Sequence, residues 1–238
     1  MKQNQSGFTL IEIAIVLVII GLLLGGVLKG QELINSAKVK NLATDFRNIP
    51  VYIYGYQDKF RSLPGDDATI GTANTHLTGG TTCAAGAKCV IGNGLIDGLW
   101  SDHDVNSEAY LFWQHVRLAG LTSGPTIVPA APAPGDGYKP VNAAGGEIGI
   151  QSGTTVAANV PVFADAAHLL PIRGTYIICS PNILGKFAKQ LDIQLDDGNT
   201  AGGSMMAFVG TAAGATAVAT TGAGGIDDAA IYTVCMGV

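Results

Sequence analysis

Gly7-Phe8-Thr9-Leu10-Ile11-Glu12 opens an apolar run that continues to Leu28. Of the 21 residues from Phe8 to Leu28, only Glu12 is charged. At about 1.5 Å of rise per residue, a helix of this length spans roughly 30 Å, the thickness of a bilayer's hydrocarbon core. The run therefore predicts a membrane-spanning helix over 8–28. A carboxylate inside such a span costs at least ~2.5 kcal/mol, which makes Glu12 the first candidate functional residue.

A secretory signal peptide offers a different reading of Lys2 and the run behind it. Its apolar core is only about 7 to 15 residues long and ends at a small-residue cleavage site. Here the run is longer, no Ala-x-Ala follows it, and the chain after Lys29 continues with helical periodicity. A simple signal anchor is the plainer alternative.

Lys2, Gly7, the Phe8-Thr9-Leu10-Ile11-Glu12 segment and the apolar stretch to about Gly30 resemble the amino terminus of type IV pilins and pseudopilins. This bacterial family combines a short basic leader, a Gly, Phe-Thr-Leu-Ile-Glu and an apolar helix. The resemblance implies that a prepilin peptidase cleaves between Gly7 and Phe8 at the cytoplasmic face, and that Phe8 is then N-methylated. It implies that Glu12 acts in assembly by pairing with the terminal ammonium of a neighbouring subunit. The implied partners are copies of the chain, other pilin-like subunits, the peptidase/methyltransferase and the inner membrane. The implied location is a single pass with a periplasmic carboxyl-terminal domain, followed by a filament.

Charge counting opposes that orientation. Lys2 precedes the run, whereas Lys29, Lys38, Lys40 and Arg47 follow it, which alone would place the carboxyl side in the cytoplasm. The leader resemblance and four Cys residues suited to an oxidising compartment are given more weight.

Length leaves room for one globular domain beyond the span. Only 13% of the 238 residues are charged, below the usual quarter, as suits a subunit packed against its own copies. The net charge of −5 becomes −6 if Lys2 leaves with the leader, and no basic cluster lies outside the neck of the first helix. No nucleic-acid partner is expected.

Val39, Leu42, Phe46, Ile49, Ile53, Tyr56, Phe60 and Leu63 recur every three or four residues, one stripe along a helix. A single helix over 8–62 is predicted, with Pro50 expected to kink it and Pro64 and Gly65 to end it. Residues 63–238 then form the domain. The segment 68–98 reads as a long loop. A second helix follows, capped by Asn106 or Ser107, with Glu108 in its first turn, Phe112 and Trp113 as core anchors, and Gly120 as its stop. Proline-rich 124–140 is an extended connection. Strands are predicted at 147–151, 160–164, 175–179, 205–209 and 231–236, and a third helix starts at Ser180-Pro181 with Ile183, Leu184, Phe187, Ala188 and Leu191 buried. The Gly, Ala and Thr run 210–225 reads as an exposed loop. The fold class is α+β: a long amino-terminal helix against a small antiparallel sheet, as in pilin-like folds.

Four Cys allow three connectivities. Cys83–Cys89 with Cys179–Cys235 is favoured, because Cys179 and Cys235 both fall in strand candidates. In the chain-entropy model the short ring contributes about 2.4 kcal/mol and the long one about 4 kcal/mol.

Acidic residues gather at Asp66, Asp67, Asp97, Asp102, Asp104 and Glu108, but 93–98 lacks the alternating pattern of a standard calcium loop. Asp192, Asp196 and Asp197 with Gly198 read as a turn. His76, His103, His115 and His168 are scattered, and Asp102-His103-Asp104 reads as a solvated turn. No metal, cofactor or catalytic motif is assigned. The expected function is a structural pilus or pseudopilus subunit, not an enzyme. The alternative is a minor pilin that binds a surface through 68–98 and 210–225.

Overall fold

The computed structural model describes residues 10–72, 75–86, 88–153, 172–210, 220 and 225–238. The chain divides into two units, Met1–Lys40 and Asn41–Val238, with the boundary inside the first helix. That helix, α1, runs Leu10–Phe60 and carries Pro50 in its interior. It ends sooner than 62 because Arg61 takes a left-handed conformation (φ 59°), ahead of Pro64 and Gly65. Arg61 N–H still donates to Gln57 O at 2.8 Å, which closes the last turn.

In the second unit, Leu42, Phe46, Ile49, Ile53 and Tyr56 are all buried, as the spacing requires. At its end α1 clusters through Tyr56 with Ile70, Leu77 and Ala119.

Helix α2 (Glu108–Leu118) buries nearly its whole length, with Phe112 and Trp113 edge to face at 5.1 Å. Ser107 is its N-cap residue, although its side chain makes no capping bond. Gly120 (φ 76°) ends it: the Gly120 and Leu121 N–H groups donate to Arg117 O and Val116 O, satisfying carbonyls left over at the helix end.

The sheet has the order β1-β2-β4-β3 and every pairing is antiparallel. Its strands are β1 (Gly149–Ser152), β2 (Tyr176–Leu184), β3 (Met205–Phe208) and β4 (Ile231–Gly237). Helix α3 (Gly185–Leu195) packs against β2, β3 and β4, and α2 against β1. The strand predicted at 160–164 lies outside the described residues.

Ser180-Pro181 does not start a helix. Strand β2 continues through both residues to Leu184, and α3 begins at Gly185. The register shifts between Ser180 and Ile183, so Pro181 falls at a bulge where no ladder N–H is required, and Asn182 takes φ 64°. Ile183 and Leu184 accordingly belong to the sheet, leaving Phe187, Ala188 and Leu191 as the buried face of α3.

A residue absent from the predicted core anchors the sheet. Trp100 is buried with Ile172, Ile177, Met206, Phe208 and the Cys179–Cys235 pair. Its carbonyl passes so close to Gly149 that a Cβ there would sit 1.9 Å from Trp100 O. Only glycine fits at that point of β1.

Candidate functional site

Every residue from 10 to 29 on α1 is exposed, and the most apolar 18-residue window reaches a mean hydropathy of 2.8. By length and composition this is a helix able to cross a membrane. Glu12 lies on its exposed first turn. Gly7 and Phe8 lie outside the described residues. At Gly21, Gly25, Gly26 and Gly30 an added Cβ would meet nothing within 4 Å, so nothing among the described residues requires their small size.

Residues 2–28 match the family model for the prokaryotic N-terminal methylation motif. The chain carries the type IV pilin and pseudopilin signature. That signature points to a structural subunit matured by a prepilin peptidase and assembled with other pilins. No curated protein and no solved structure matches this pilin-like chain.

The domain's acidic residues hold loops in place. Asp66 accepts the backbone N–H groups of Gly92, Asn93 and Gly94, the last at 2.7 Å. Glu108 takes Val90 N–H on Oε1 and Asp97 N–H on Oε2, each at 2.9 Å. Asp97 accepts from Asn93 Nδ2 at 2.7 Å. Burial pushes Glu108 up to about 8, with the Asp66 and Asp97 charges adding to it against the pull of its backbone donors.

Asp67 receives Tyr56 Oη–H at 2.7 Å and lies 2.7 Å from His76 Nε2. Burial alone raises its pKa, but hydrogen bonds from Tyr56, Thr69 and His76 hold it below the usual carboxylate range.

His103 is not in a solvated turn. It pairs with Glu147 at 2.5 Å across the domain, while Asp102 accepts from Lys88 Nζ at 3.0 Å and Leu99 N–H at 2.9 Å. The three residues 102–104 thus form no acid-base unit, since Asp102 and Asp104 both turn to Lys88 while His103 turns to Glu147. Both pairs close loops that are distant in sequence, which local reading cannot detect.

Lys139 is another such residue. It is buried and donates to Trp100 O at 2.6 Å, and burial pushes it down to about 8. With His103 and Glu147 it lines a cleft of about 440 Å³, and these three side chains are engaged with one another or with backbone. Nothing in the composition of 124–140 marks Lys139 for burial.

Cys83 is bonded to Cys89, and Cys179 to Cys235. The second bond joins directly paired positions of the two central strands.

Proposed function

We propose that this pilin-like chain is a structural subunit of a type IV pilus or a type II secretion pseudopilus, held in the inner membrane and then polymerised. The observation that carries the reading is the methylation motif at 2–28, set on a helix whose apolar side chains are exposed through residue 29. Cleavage after Gly7 exposes the Phe8 amine, which is N-methylated. The apolar run leaves lipid for a bundle of sibling helices, where the Glu12 carboxylate meets a neighbour's amine in a medium of low dielectric. The four small-residue positions on α1 admit close helix approach. Two disulfides support a periplasmic domain, since such bonds persist in oxidising compartments.

The adhesin alternative draws no added support from the structure. Part of loop 68–98 is fixed to the domain by Asp66 and Glu108, and most of 210–225 lies outside the described residues.

The test is Glu12→Ala. Leader cleavage is expected to persist while the subunit disappears from the sheared filament fraction. Wild-type filament yield from the variant would remove the assembly role.

A further inference from the structure

We propose that residues 29–40 of α1 form a basic collar that docks on the anionic phospholipid headgroups around the membrane span. The proposal rests on the reading of the run up to Leu28 as that span. Lys29, Lys38 and Lys40 are all exposed on the helix. The only acidic residue from 29 to 44 is Glu32, and Lys29 engages it at 2.6 Å. The charges of Lys38 and Lys40 are therefore not balanced within their own stretch of helix. Residues 41–238 hold the opposite balance, with 9 basic and 16 acidic side chains. Positive charge is thus concentrated beside the span in a chain that is otherwise acidic.

Along α1, Lys38 and Lys40 stand about 15 and 18 Å beyond Leu28, at about 1.5 Å per residue. The headgroup layer occupies about 5–7 Å of that distance. Helical Cα–Cβ bonds tilt toward the amino terminus, so on this helix the lysine stems lead back toward the bilayer. With stems of about 6 Å, the ammonium groups come within the screening length of about 8 Å at physiological salt. Exposed Leu33 and Ile34, between Lys29 and Lys38, suit the boundary between apolar and polar layers.

The arrangement around the helix selects the partner. Lys38 and Lys40 lie about 200° apart around the axis. A protein docked on one side would meet only one of them, whereas a membrane surface encircles the helix and meets both. Anionic headgroups attract such juxtamembrane lysines. The collar acts on whichever leaflet presents them, so the excess of basic residues after the span does not by itself fix the orientation.

The experiment reconstitutes the full chain in phosphatidylcholine vesicles with a trace of spin-labelled phosphatidylglycerol or spin-labelled phosphatidylcholine. The immobilised fraction of each probe gives its relative association with the chain. Phosphatidylglycerol should be preferred about threefold at about 20 mM NaCl, and the preference should approach parity at about 0.5 M NaCl. Lys38→Gln/Lys40→Gln should lose most of the preference and Lys38→Arg/Lys40→Arg should keep it, both with the wild-type thermal midpoint, because the two positions are exposed. Equal association of the two probes with the wild type would overturn the collar. So would an undiminished preference in the Gln variant, or its loss in the Arg variant. Flotation of the wild type with the phosphatidylcholine vesicles reports the span separately: a chain that failed to float would overturn the span reading and the collar with it.

Discussion

Glu108 and His115 lie about two turns apart on α2 and oppose each other in pH dependence. His115 is fully buried, with Gly65 N–H donating to Nδ1 at 2.8 Å and Nε2–H donating to Thr81 O at 3.0 Å. Both ring nitrogens are thereby used in the neutral form, and burial pushes the ring down to about 4. Its stabilising contribution is present above the unfolded value of 6.5 and lost as pH falls through about 4. Glu108, raised from 4.5 to about 8, contributes stability below 4.5 that is lost as pH rises through about 8. Between pH 6.5 and 8 the wild type should therefore lose thermal midpoint as pH rises while Glu108→Gln stays level, and between pH 5 and 6.5 the variant should gain midpoint with pH where the wild type, with the two groups opposed, changes little. Parallel midpoint curves for the two proteins would rule out this role. The acidic cluster was visible in the sequence, but its function was not. The partners of Asp66 and Glu108 are backbone N–H groups of 90–97, and such donors carry no sequence signature.

At the scale of elements, legibility followed periodicity. The stripe from Leu42 to Tyr56 is buried because a 3.6-residue period states which face is apolar. Phe46→Ala should accordingly destabilise the chain by about 3–5 kcal/mol, measured by denaturant unfolding in detergent. A cost near zero would mean that the stripe does not face the core. Ser180-Pro181 misled because a capping residue followed by proline suits a helix start and a strand bulge equally, and only the register with β4 separates them. Arg61 likewise ended α1 through a positive φ that its side chain does not advertise.

The two disulfides permit a comparison between elements. Removing Cys179–Cys235 by paired Cys→Ala substitution should cost about 4 kcal/mol, against about 2.4 kcal/mol for Cys83–Cys89. The larger loss should appear as the larger drop in thermal midpoint, and the reverse order would show that ring size does not govern these bonds.

For the whole molecule, the amino-terminal unit exposes its apolar side chains and the surface is sparsely charged, two properties that a subunit resolves by assembling. This was legible from Phe8 to Leu28 before any coordinates, because a run of that length with a single carboxylate has few physical uses. The domain was less legible, because its surfaces depend on long-range pairings such as His103 with Glu147 that the sequence does not display. The most direct test is intact and peptide mass spectrometry on protein from its native membrane and from the sheared surface fraction. A chain beginning at methylated Phe8 in the sheared fraction is the expected result, joining processing to assembly in one observation. An intact Met1 terminus confined to the membrane, in cells with active peptidase, would contradict it and leave a simple anchored domain.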